Sequence, residues 1–257
     1  MTIEEMMRAS QVRTAENGFV YAVLAEPGEP ETEDERGLAR LAAAVPRTLV
    51  PRLGRAGCYF VPWLVKVRRS VAIATQAAPE GETRKELCHH LDVKPSGNLL
   101  LISLRFYEHD SYGLAMEFFD KVAYLATLDD DERADFPDLL RKEVAQSAGG
   151  ELTPEAWEWR QGLGKDASES AAVTGARWTS YRRAAETDAL GLYMAALYTD
   201  VFYEDLFEQE PGFPPLPPDQ VYERMRTVER LFPPNRGYSL QMVRQRPRRR
   251  RSAAQNN

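Results

Sequence analysis

The three clearest strand patterns of this chain all lie before residue 110, and the residues after them carry helical patterns instead. These segments are either rich in β-branched and aromatic residues or alternate apolar with polar residues, and both patterns are typical of strands. They cover residues 19–25, 63–76 and 98–107. Residues 168–209 contain no proline, and Leu190, Met194, Leu197 and Val201 recur there at helical spacing. The distribution predicts an α+β fold, in which a small mixed sheet of about three strands with helices precedes an all-helical carboxy-terminal half.

Arg69 interrupts the apolar face of the pattern over residues 63–76. Either the strand breaks or bulges at this point, or the guanidinium is buried against a carboxylate. We expect the break or bulge, because burying an unpaired charge costs so much free energy. Between this segment and the strand at 98–107 we expect a short helix over residues 82–91, and a longer helix follows over residues 111–128.

Glycines and prolines divide the chain into three parts. Gly149 and Gly150 form the best internal boundary, and Thr153-Pro154-Glu155 begins the next helix with a hydroxyl cap, a proline and an acid. We therefore expect an α+β domain over residues 1–148, a helical domain or subdomain over 151–232, and a basic flexible tail over 233–257.

The composition limits the class of protein. A hydrophobic content of 43% is ample for a packed core, and two cysteines are too few for a disulfide framework or a cysteine-rich zinc module. The first residues lack the basic and apolar regions of a secretory signal, and no apolar run approaches the roughly 18 residues that span a bilayer. We expect a soluble, cytoplasmic protein that does not enter a membrane.

Charge is distributed unevenly along the sequence. The last fourteen residues contain six arginines and no acid, so they carry a formal charge of +6. Because the whole chain has a formal charge of −6, residues 1–243 carry −12. Such a segment can neutralise nucleic-acid phosphates or contact an acidic protein surface, including the surface of this protein or of a neighbouring subunit. The six are Arg244, Arg246, Arg248, Arg249, Arg250 and Arg251.

A second candidate site lies in the segment Arg84-Lys-Glu-Leu-Cys-His89. Its spacing resembles the R-x4-6-H signature of HEPN-type ribonucleases, an all-helical family. The resemblance implies that His89 acts on the 2′-hydroxyl proton while Arg84 stabilises the phosphate charge in a dimer cleft. A general base beside a cationic anion stabiliser suits phosphodiester chemistry. An arginine and a histidine at this spacing also occur on ordinary surface helices.

A third candidate is the polar side of the strand at 98–107. If the strand continues, alternation puts Ser103, Arg105, Tyr107 and His109 on one face, where Arg105 and His109 could bind an anion. The alternative is the solvated face of a one-sided sheet. Cys88, His89, His90 and His109 also suggest zinc ligands, but their spacing matches no standard zinc finger, and we expect no metal.

Motifs for nucleotide or dinucleotide binding are absent, since neither G-x-x-x-x-G-K-[ST] nor G-x-G-x-x-G occurs, and we expect no cofactor. The leading hypothesis is a non-catalytic binding or assembly protein that docks an acidic partner, either a protein surface or nucleic acid, through its arginine-rich tail. The alternative is a metal-independent ribonuclease or other phosphodiester-processing enzyme that uses Arg84 and His89. Either protein could form oligomers.

Overall fold

The computed structural model describes residues 1–24, 33–54, 56–67, 70–75, 87–93, 99–127, 135–146, 149–163, 171–206 and 212–243. In these ranges the protein is mixed α/β, with seven α-helices, one five-stranded mixed sheet and two small two-stranded sheets. The central sheet is therefore larger than the expected three strands. Helices dominate the carboxy-terminal half as expected, although two short strands also occur there.

The helices are α1 (Ile3–Ala9), α2 (Glu33–Ala44), α3 (Ser111–Ala126), α4 (Asp135–Ala145), α5 (Pro154–Gln161), α6 (Ala171–Tyr198) and α7 (Pro218–Leu231). The strands are β1 (Gln11–Thr14), β2 (Val20–Val23), β3 (Gly57–Val61), β4 (Trp63–Val67), β5 (Ser70–Ala74), β6 (His90–Val93), β7 (Leu99–Ser103), β8 (Val201–Phe202) and β9 (Met242–Val243).

The five-stranded sheet has the order β1-β2-β3-β7-β6. Its three central strands run parallel, and β1 and β6 pair antiparallel at the two edges. The chain between β2 and β3 contains α2, which supplies the long connection that parallel neighbours need. Strands β1, β3 and β6, of four or five residues each, were not predicted.

The segment predicted as one strand over 63–76 forms the hairpin β4–β5 instead. The strand break expected near Arg69 is confirmed, since β4 ends at residue 67 and β5 begins at residue 70. The helix predicted over residues 82–91 is wrong where the structure describes this segment, which is from residue 87 onwards. Residue 87 forms a β-bridge, and β6 begins at His90. The helix predicted over 111–128 is confirmed as α3.

Both faces of the sheet are covered. One face contributes residues such as Phe60 and Ile102 to a large apolar core that also contains Phe118 of α3, Tyr193 of α6 and Val228 of α7. The other face packs against α1 and the β4–β5 hairpin. The large core therefore contains residues from both of the segments that the sequence suggested as separate domains.

Helix α6 runs without a break past both of its glycines. At Gly191 the neighbouring α3 comes so close that an added Cβ would lie 3.3 Å from the Cα of Asp120. The absence of a side chain at Gly191 therefore lets the two helices approach each other.

The first part of the segment 233–257 is bonded to the body. The side-chain amide of Asn235 donates to the carbonyls of Ala43 and Val45 at 2.8 and 2.7 Å, and the backbone N–H of Gln241 donates to the carbonyl of Ala196 at 3.1 Å. Strand β9 then pairs in parallel with β8. The backbone is thus attached to the body up to residue 243, and the six arginines of the tail lie outside the described residues.

None of the described helices combines the length and the apolar character that crossing a membrane requires.

Candidate functional site

The residues that suggested a ribonuclease are only partly described. Arg84 lies outside the described residues. His89 is exposed in a bend before β6, so the helical setting that the motif implies is absent at this residue. Its imidazole stacks on the ring of Phe106, with 3.9 Å between the ring centroids and 31° between the planes.

The expected polar stripe on the strand at 98–107 does not form. Strand β7 ends at Ser103, and Arg105–Tyr107 form a short 3-10 helix, so the alternation of side chains stops there. The hydroxyl of Ser103 is buried and donates to the carbonyl of Pro62. Arg105 pairs with Glu108 at 3.2 Å, and His109 adopts a left-handed backbone with φ of 68°.

Glu117 on α3 gathers two of the polar side chains near the end of the sheet. His90 Nδ1 lies 2.5 Å from its Oε1, and the Tyr107 hydroxyl donates to its Oε2 at 3.0 Å. Burial raises the pKa of Glu117, but the contacts with His90, the charge of Lys121 and the Tyr107 bond outweigh it, and the net pKa is lowered. Burial and the adjacent carboxylate raise the pKa of Tyr107. The cluster ties the edge strand β6 to α3.

In the part of the chain that the structure describes, no group of three or more His, Cys, Asp or Glu side chains is arranged to hold a metal ion. The carboxylates Asp200 and Glu204 lie four residues apart, but they do not share a helical face, because α6 ends at Tyr198 and the two residues flank β8.

A polar cleft of about 650 Å³ lies between the edge strand β6 and helices α3, α5 and α6, and we call it the α6 cleft. None of the sequence-based site residues lines it. Its charged and aromatic lining consists of Asp92, Asp120, Lys121, Tyr124, Glu155, Trp159, Arg183 and Asp188.

Asp188 is the most unusual residue of the α6 cleft. Protein atoms surround its side chain, yet the residue keeps part of its surface open to solvent. Thr153 Oγ1 donates to its Oδ2 at 2.7 Å. Burial raises the pKa of Asp188 to about 8, despite the opposing effect of the Thr153 bond. A carboxyl group that titrates near neutral pH inside a cleft is a functional-site candidate.

A buried ion network holds the wall of the α6 cleft that carries Thr153. Arg224 of α7 is fully buried and donates to both oxygens of Glu143 and of Glu151, and Arg160 and the Tyr181 hydroxyl also donate to Glu151. Because Glu151 lies two residues before the Thr153 cap of α5, the network fixes the start of that helix against α4, α6 and α7.

The sequence contained a signal for Asp188 that motif patterns did not use. Asp188 and Glu186 are two acids within a stretch of α6 in which Ala184, Ala185, Ala189 and Leu190 are all buried. A charged residue in such a stretch needs a partner or a water-filled space beside it.

The sequence matches no protein-family model, and no curated protein shows significant similarity to it.

Proposed function

We propose that this protein is a non-catalytic binding or assembly protein of the cytoplasm, which docks an acidic partner through the six arginines of residues 244–251. The observation that carries the proposal is the charge separation between those arginines and the −12 of residues 1–243. Guanidinium groups suit this role, because they form bidentate bonds with carboxylates and phosphates.

The attachment of residues 235–243 to the body supports the proposal. Pairing of Val201 with Met242 and of Phe202 with Val243 fixes the backbone immediately before Arg244. A partner captured by the arginines would therefore be held close to the globular body. This arrangement suits assembly better than a long free linker would, because a short connection raises the effective concentration of the two surfaces.

The test compares the full chain with two variants in which all six arginines become glutamine or lysine. Binding of a single-stranded RNA and of a poly-glutamate peptide is measured by fluorescence anisotropy at low and fourfold higher salt. If six phosphates are neutralised, affinity for RNA should fall about 300-fold over that range, since the salt slope is about −0.7 per contact. The glutamine variant should lose binding and salt dependence, and the lysine variant should keep most of both.

The two probes separate the two kinds of partner. Tighter binding of RNA identifies nucleic acid, whereas selective binding of the acidic peptide identifies a protein surface. If the glutamine variant binds both probes as well as the natural chain does, the arginines are not the docking element and the proposal fails.

The ribonuclease alternative has weaker support, because His89 lies in a bend and not on a helix. Its exposed, stacked imidazole is nevertheless open to a substrate. Under this alternative His89→Ala abolishes RNA cleavage, and His109→Ala, a matched histidine substitution, leaves it unchanged. Cleavage that survives His89→Ala would rule out the alternative.

A further inference from the structure

The α6 cleft has the dimensions of a small-molecule site. Its volume of about 650 Å³ falls within the roughly 300–1,000 Å³ of typical ligand pockets. Four separate elements contribute to its walls, and two of them, α3 and α6, are held together at Gly191. The walls are therefore built on packed helices and an edge strand.

The charges that line the α6 cleft are unbalanced. Four carboxylates face two basic groups, and one of these, Lys121, lies 3.0 Å from Asp120 and neutralises it. Among the residues that the structure describes, the other lining charges form no ion pair. The cleft therefore has a surplus of negative charge, carried by Asp92 and Glu155 against the single charge of Arg183, and Asp188 adds to the surplus when it is ionised.

Two aromatic rings add a second preference for cations. Trp159 is 39% exposed, which is unusual for so large an apolar side chain, and it lines the cleft. Tyr124 already accepts a cation on its ring face, since the guanidinium carbon of Arg183 lies 5.2 Å from the ring centroid. Tryptophan attracts cations more strongly than tyrosine does, so the open indole offers the better face.

We propose that the α6 cleft binds a small organic amine that carries two or more ammonium groups. One ammonium group pairs with Asp188, and the other reaches the carboxylate of Glu155 and the ring of Trp159. This site is independent of the arginine-rich segment, and it extends the protein's activity beyond partner docking.

Amine binding is coupled to the proton on Asp188. The pKa of Asp188 is raised to about 8: burial is the largest cause, the Thr153 bond and Arg224 oppose it, and the charges of Asp120 and Glu151 add to it. Near pH 7 the free carboxyl is thus mostly protonated. An ammonium group beside it favours the ionised form, so binding releases a proton and the affinity rises with pH towards 8.

The experiment is isothermal titration of the full chain with spermidine, with glutarate as the anionic probe. Asp188→Asn keeps the shape and the Thr153 bond but removes the charge, and it should weaken spermidine binding about tenfold or more, the equivalent of one charge-assisted bond. Trp159→Ala should weaken it as well. Arg183→Gln should tighten it several-fold, because a repelling charge leaves the cleft. Asp138→Asn, an exposed acid on α4, serves as the matched control and should change nothing.

Titrations in two buffers of different ionisation enthalpy count the protons. Near pH 7 the natural chain should release close to one proton for each amine bound, and Asp188→Asn should release fewer. Thermal unfolding of each variant confirms that it is folded. The proposal is overturned if spermidine does not bind at about 1 mM, which corresponds to a free energy near −4 kcal/mol. It is also overturned if glutarate binds more tightly, or if Arg183→Gln weakens binding of the amine.

Discussion

Replacing Arg224 by methionine is predicted to be among the most damaging single substitutions in this protein. The guanidinium is fully buried and makes five hydrogen bonds of 2.7 to 3.3 Å to Glu143 and Glu151. Methionine fills much of the same space with a flexible apolar chain, so the loss is mainly electrostatic.

The two carboxylates respond differently to this substitution. Glu151 keeps the bond from Arg160 at 2.8 Å and the bond from Tyr181 at 2.6 Å. The side chain of Glu143 loses the guanidinium that donates three hydrogen bonds to it. Removing one partner from a buried ion pair costs about 3–5 kcal/mol. That is a large share of the roughly 5–15 kcal/mol by which a typical domain is stable.

The pH dependence follows from the same contacts. Burial raises the pKa of Glu143 even in the natural protein, where Arg224 opposes the effect. In the variant this pKa rises further above the unfolded value. The folded variant then binds more protons than the unfolded chain, so its stability increases as the pH falls from 7 towards 5. The difference in stability between the variant and the natural chain should therefore shrink in acid.

Urea unfolding followed by circular dichroism at several pH values measures both effects. Arg226→Met on the same helix is the control, because Arg226 is exposed and its partners Glu229 and Tyr222 are partly open to water, so stability should change little. The double variant Arg224→Met with Glu143→Leu should recover part of the loss. A loss below about 1 kcal/mol at neutral pH, the size of an exposed pair, would refute the reasoning.

Three further predictions concern the fold. Gly191→Ala should destabilise the protein by about 1–3 kcal/mol despite its better helix propensity, because its Cβ would press on the backbone at Asp120, and urea unfolding measures this. The lowered pKa of Glu117 stabilises the natural chain above the unfolded carboxyl pKa, and this stability is lost as the pH falls. Glu117→Gln should therefore lower the free energy of unfolding near neutral pH but not in acid, as unfolding measured over a range of pH would show. Because one core spans both halves, a variant that keeps only Trp63 and a variant that keeps only Trp178 should unfold at the same urea midpoint by fluorescence, and two separate midpoints would contradict this.

The sequence predicted the elements whose signals are local. Helix α3 and the start of α5 at Thr153 followed from apolar spacing and from capping chemistry, because side chains within one or two turns determine such features. The strand break near Arg69 was also predicted from a single charge on an apolar face.

Only the tertiary structure decided the rest. Strands β1 and β6 pair with their neighbours in sequence, β2 and β7, but only β3 joins these two distant pairs into one sheet. Short edge segments of this kind carry no pattern of their own. The α6 cleft likewise joins Asp92, Tyr124, Glu155 and Asp188 from four elements. A local pattern records which face of an element is apolar, but it does not record which distant element packs against that face. For this reason the charge separation of the chain was visible in its sequence, and the carboxyl group at the cleft was not.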